Sequence, residues 1–164
     1  MGRLSAVVLL AVLASMMSGS VLAQEKFLIQ LPIKVEAGGT STARIKSECK
    51  IDSVLADHVL AKVTSQFPGS GTLEGDAAAP ANAKVLRLTI VSVFGLGGGA
   101  YSGTKQMGVR ADIMVENKML ATTMRERQSM GGAAGLFGGG TCAVFNKLAE
   151  VLASDITTWM VSAP

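Results

Sequence analysis

Histidine, cysteine and aromatic residues are scarce in this chain, and each scarcity closes off a class of chemistry. One histidine, His58, and two cysteines, Cys49 and Cys142, fall short of the set of about four ligands that a structural zinc site needs. The cysteines stand too far apart for a Cys-x-x-Cys redox pair. Asp57 points to another side of a helix than His58, so no neighbouring carboxylate orients that imidazole as a general base. His58 reads as a partly exposed residue on a helix flank. No pair of carboxylates carries a local signature of acid/base work. A thiol enzyme needs an accessible, low-pKa cysteine, and a disulfide-bonded one is neither. The expectation is a protein that is not an enzyme and uses no cofactor and no metal. A net charge of +3 is too small to point to nucleic acid. After residue 23 no run is long and apolar enough to span a bilayer.

What is present begins with an export signal. Arg3 supplies a positive start, Leu4 to Met17 an almost unbroken apolar run, and Val21-Leu22-Ala23 a cleavage site. Cleavage after Ala23 would leave one domain, residues 24–164. Gln24 stands where a lipoprotein would carry an acylated cysteine, and Ala6 breaks the myristoylation pattern. The expected product is exported, periplasmic, soluble and not lipidated. In an oxidising compartment an even cysteine count favours pairing, so Cys49 and Cys142 are expected to form a disulfide.

Phe27, Ile29, Leu31, Ile33 and Val35 alternate with polar residues as in a half-buried strand, and Pro32 suits an edge position. Residues 37–42 read as a loop. Ile51, Leu55, Val59, Val63 and Phe67 recur every four residues, which predicts a helix from about Ser47, its cap, to Phe67. Residues 69–83 offer no period. Lys84 to Gly95 reads as a central strand. Met107, Val109, Ala111, Ile113 and Val115 alternate again, Asn117-Lys118 fits a hairpin turn, and residues 119–129 return as a polar strand. Phe145, Leu148, Ala149, Leu152, Ile156 and Trp159 share one face of a final helix. The order β-α-β-β-β-α predicts a two-layer α+β domain, a four-stranded mixed sheet with two helices on one face.

Two glycine-rich stretches invite a functional reading. GGAAGLFGGGTC, residues 131–142, lacks the lysine of a phosphate loop, and no parallel strand follows its helix as a dinucleotide site requires. A pliant lead into the last helix fits better, with Leu136 and Phe137 packed on the core or offered to a partner. GLGGGAYSGTK, residues 95–105, links two strands and carries Tyr101 and Lys105. Arg110, Arg125 and Arg127 form the one charge cluster. With the turn at Asn117-Lys118, Arg110 lies opposite Arg125 on the face away from Val109, where an acidic partner or Asp112 and Glu126 would neutralise it.

Ser102-Gly103-Thr104-Lys105, Thr141-Cys142, Trp159 and the segment CKIDSVLADHV from Cys49 together resemble a group of uncharacterised exported proteins of Gram-negative bacteria. The element order is more distantly similar to the curli-secretion lipoprotein and to the amino-terminal domain of the Tol-system propeller protein. The resemblance implies no known activity. The functional expectation is a non-enzymatic exported binding or envelope-assembly module. Its partner would be an envelope protein, an acidic glycan or a lipid head group, met by Tyr101, Lys105, Arg110, Arg125, Arg127, Leu136 and Phe137. The alternative is a small-ligand or anion-binding protein using the glycine loop and the amino end of the last helix.

Overall fold

The computed structural model describes residues 25–38, 40–75, 77–95, 103–129 and 140–164. The signal segment, Gln24, Tyr101, Leu136 and Phe137 lie outside them. The elements in chain order are β1 (Phe27–Leu31), β2 (Lys34–Val35), α1 (Thr40–Cys49), α2 (Ile51–Gln66), β3 (Gly71–Glu74), β4 (Lys84–Gly95), β5 (Lys105–Val115), β6 (Lys118–Ser129) and α3 (Thr141–Ser162). They form one mixed sheet in the order β3-β1-β4-β5-β6, with β2 also beside β4. The pairings of β1 with β3 and β4 are parallel, and β4-β5-β6 is an antiparallel meander.

The α+β class and the parallel pairing of the first long strand with β4 hold, but among the described residues six strands and three helices replace the expected four and two. Pro32 divides the first strand rather than marking an edge. It falls just after β1, so its missing N–H ends the ladder, and β1 lies inside the sheet between β3 and β4. The extra strand β3 comes from the stretch that showed no period. Four residues are too few to display alternation, and β3 is held by its register with β1, Leu28 to Gly71 through Leu31 to Glu74. The first helix starts at Thr40, earlier than expected, and Ser47 does not cap it but donates from within α1 to the Arg44 carbonyl at 2.9 Å. A break separates α1 from α2 at Lys50, whose backbone is left-handed (φ 47°) without a glycine to announce it. The hydrogen bonds Lys50 N–H to Lys46 and Val54 N–H to Lys50 span the break, so the apolar stripe continues through it.

The helices cover one face of the sheet. Ile29, Leu86, Leu88, Ile90, Met107, Val109, Ala111 and Ile113 point into the core and meet Ile51, Leu55 and Val59 of α2 and Phe145, Leu148, Leu152 and Ile156 of α3. Gly95 leaves room at the end of this layer. A side chain there would press on the buried stem of Lys105 at 2.9 Å and on the Phe145 ring at 3.2 Å. His58 joins the two long helices, its Nε2 lying 2.9 Å from Asn146 Oδ1.

Cys49 and Cys142 form the expected disulfide, with a Cα separation of 5.0 Å. Cys142 lies at the amino end of α3, as expected. Cys49 ends α1 rather than beginning a helix, because the break at Lys50 divides the long helix the periodicity suggested. The bridge links residues 93 apart, and loop-closure entropy puts its contribution at up to about 4–5 kcal/mol. Cys142→Ser should therefore lower the melting temperature by up to roughly 10–15 °C, and reductant should bring the wild-type protein down to meet it. Equal melting temperatures for oxidised wild type and the variant would show that the bridge adds nothing.

Candidate interaction face

Among the described residues the other face of the sheet has no helix layer. It is built by the residues that alternate with the core row: Gln30 of β1, Val85, Arg87 and Thr89 of β4, Arg110, Asp112 and Met114 of β5, and Thr122 and Met124 of β6. Bulges near Val91 and at Leu120 shift the phase of β4 and β6, and the first of them turns Phe94 outward.

A polar row crosses this face. The Gln30 side-chain amide donates to the Gly75 carbonyl at 3.1 Å, and its oxygen accepts from Arg87 Nε at 2.8 Å. Next in line, Asp112 is only 4 % exposed. Its Oδ1 accepts from the Thr122 hydroxyl at 2.6 Å, and its Oδ2 lies 3.4 Å from Arg110 Nε. Arg110 also reaches Glu36, at 3.4 Å. A carboxylate so far from water needs these partners, since an unpaired buried charge is strongly disfavoured. Phe94, Met119, Leu120 and Met124 are exposed around this row, Met124 to 59 %. Beside it, residues 77–81 arch over Val85, Arg87 and Met114 and close a groove of about 380 Å³.

The bulge at Leu120, more than the turn between β5 and β6, decides which residues share this face. The turn's central residues are Glu116 and Asn117, both with positive φ (50° and 63°), one position before the expected Asn117-Lys118. With the bulge at Leu120, Arg110 therefore pairs with Met124 and Arg125 with Val109. A slip of one residue turns a side chain to the opposite face. The three arginines do not form one cluster. Arg110 is on the open face, whereas Arg125 and Arg127 are on the helix side. There Arg127 forms a two-pronged pair with Asp155 of α3, at 2.7 and 2.8 Å. That hydrogen bond, and then the charge of Asp155, raise the Arg127 pKa above its ordinary value. Lys105 is fully buried beneath the sheet end, its ammonium donating to the Gly103 carbonyl at 3.2 Å.

Sequence reading missed Gln30, Glu36, Arg87, Phe94 and Thr122. Their signal was only that polar residues on three separated strands share one phase, and no local pattern connects them. Among the described residues no group of histidine, cysteine and carboxylate side chains is arranged to hold a metal ion, and no helix is long and apolar enough to cross a membrane.

No protein-family model matches the chain, and no curated protein matches it at a significant level. Solved structures do match, and they define a class of two-layer α+β domains by fold. The chain is similar to a PelC dodecamer subunit from Paraburkholderia phytofirmans, with a TM-score of 0.51 and 15 % identity over 81 % of this chain and 89 % of that one. It is also similar to a DUF330 protein from Xanthomonas campestris, with a TM-score of 0.52 and 10 % identity over 84 % and 83 %. A hypothetical protein from Chlamydia trachomatis matches with a TM-score of 0.50 and 9 % identity over 84 % and 99 %. At these identities the likeness is one of fold.

Two measurements probe these interactions. Asp112→Ala should cost about 1–3 kcal/mol, because Thr122 and Arg110 lose a buried acceptor. Adding Thr122→Val should then cost almost nothing further in a double-mutant cycle, and full additivity would show the bond to be idle. On α3, the Lys147 hydrogen bond, reinforced by its charge, holds the Glu150 carboxyl below the usual carboxylate range. What it adds is present above the ordinary carboxylate pKa and is lost as pH falls through the depressed value. An NMR titration should show the Glu150 pKa rising in Lys147→Gln, and no change would mean that the pair does not form in solution.

Proposed function

We propose that the chain is an exported, non-enzymatic binding or assembly module of the cell envelope, and that it meets its partner through the open sheet face. The observation that carries this reading is the asymmetry of the sheet. One face is sealed by three helices, while the other presents Phe94, Met119, Leu120 and Met124 around a fixed polar row. Exposed apolar side chains grouped on a rigid, polar-rimmed surface are the usual mark of an interaction site. The disulfide supports export, since such bonds persist in oxidising compartments. The fold it shares with a subunit of a dodecamer supports a role in an assembly. The signal reading of residues 1–23 belongs to the same proposal.

The second reading, anion binding at the amino end of α3, is supported by one feature: Gly140 provides no side-chain cap for that helix. Inorganic phosphate would then shift the amides of Thr141 and Cys142, whereas the sheet-face reading leaves them unmoved.

Two results test the main reading. The intact mass of the exported protein should correspond to residues 24–164, and retention of residues 1–23 would remove the export argument. A photo-crosslinking residue at Met124 should capture a discrete adduct in intact cells, while one at Thr158, exposed on α3, should not. Adducts from Thr158 alone, or from neither site, would overturn the assignment of the face.

A further inference from the structure

The groove on the open face holds a cation that makes no close ion pair among the described residues. Arg87 sits on its floor, and its one hydrogen bond among the described residues runs from Nε to Gln30. The nearest carboxylate along the ladder, Asp112 in register opposite, is already taken by Thr122 and Arg110. Among the described residues the two terminal nitrogens of Arg87 therefore have no hydrogen-bond acceptor. Gln30 is itself fixed by the Gly75 carbonyl, so the guanidinium is held rather than free to swing away. The groove around it is mixed: Leu73, Val85, Met114, Ala79 and Pro80 give it an apolar strip, and Gln30, Glu116 and Asn117 are polar.

Glu116 marks the far end of the same groove. It is the first residue of the turn that follows β5, four residues after Asp112. A guest with an anionic head at Arg87 would extend an apolar body along Val85 and Met114 and end near a carboxylate. A second negative charge there would be repelled.

We infer that this groove is a binding site for a small single-headed organic acid, a medium-chain carboxylate. The head group pairs with the terminal nitrogens of Arg87, and the chain lies beneath residues 77–81. A planar guanidinium with two free N–H edges suits the two oxygens of a carboxylate, and a space of about 380 Å³ is in the range of small-molecule sites. The groove shares Gln30, Val85, Arg87 and Met114 with the open face proposed above as a contact surface, and its test reads small-molecule binding alone.

Octanoate is the probe, titrated into the exported protein while backbone amides are followed by NMR. Saturable shifts at Val85, Arg87, Met114 and Glu116 are expected. Arg87→Gln should weaken binding roughly tenfold or more, the scale of one lost charge-assisted contact. Ala79→Trp, a change in the exposed arch that leaves the fold intact, should block the groove and supports the site even if the Arg87 variant is unstable. 1-Octanol and suberate should each bind more weakly than octanoate, the first for want of a charge and the second because its far carboxylate meets Glu116. The proposal is overturned if octanoate gives no saturable shift, if octanol or suberate binds as tightly, or if Ala79→Trp binds as well as the wild type.

Discussion

Leu86, Leu88 and Ile90 of β4 and Val109, Ala111 and Ile113 of β5 are almost wholly removed from water, and the rest of the molecule is arranged to keep them so. Each buried side chain of this size contributes about 1.5–3 kcal/mol, so the two adjacent rows outweigh any single polar contact. Helices α2 and α3 supply the cover because each carries one apolar stripe. The disulfide holds the end of α1 against the start of α3, which closes the helical layer at one end. Arg127 and Asp155 fasten the outermost strand, β6, to α3 on the same side. Gly95 admits the Phe145 ring where the sheet ends. These features all serve one face.

The consequence falls on the other face. A strand that sends alternate residues into a core sends the rest outward, and here no helix among the described residues covers the outward row. Asp112 is buried there all the same, which is tolerable because Thr122 and Arg110 supply donors. Two side-chain bonds, Arg87 to Gln30 and Thr122 to Asp112, tie β4 to β1 and β6 to β5 without a hydrophobic layer. They stiffen a surface that would otherwise be a flat, partly apolar sheet. A rigid surface loses less entropy when it meets a partner, which is the advantage of preorganisation.

The parts of this design that obey local rules were legible in the sequence. Alternation located β1 and β5, and the stripe from Phe145 to Trp159 located α3, because both patterns are written by the core. Three features escaped for physical reasons. The left-handed residue Lys50 interrupts a helix whose apolar period runs on unbroken, so nothing in the pattern marks it. The strand β3 is short and held by pairing with β1, a contact remote in sequence. The hairpin turn has Asn117 as its second central residue, not its first, and Glu116 takes the other positive φ although glutamate seldom does. The bulge at Leu120 matters most for the site, because the turn shift alone moves the register by two and keeps each side chain on its face. The bulge moves Arg125 and Arg127 to the helix side and leaves Arg110 as the one arginine of that cluster on the open face.

The edges of the sheet show why a partner would approach this surface face-on. At one edge β3 has four residues, too few to template another strand effectively. At the other, β6 has twelve and no neighbour among the described residues. Long bare edges invite indiscriminate pairing, and charged side chains are one of the ways proteins discourage it. Here Arg125, Glu126 and Arg127 occupy successive positions, so a strand added along that half of β6 would meet charge on both faces. The exposed methionines Met119 and Met124, by contrast, project from β6 onto the open face beside Arg110 and Met114. Methionine is unbranched and adaptable, and suits surfaces that must fit an irregular partner. The same strand thus resists pairing along its edge while presenting apolar contact area on its face.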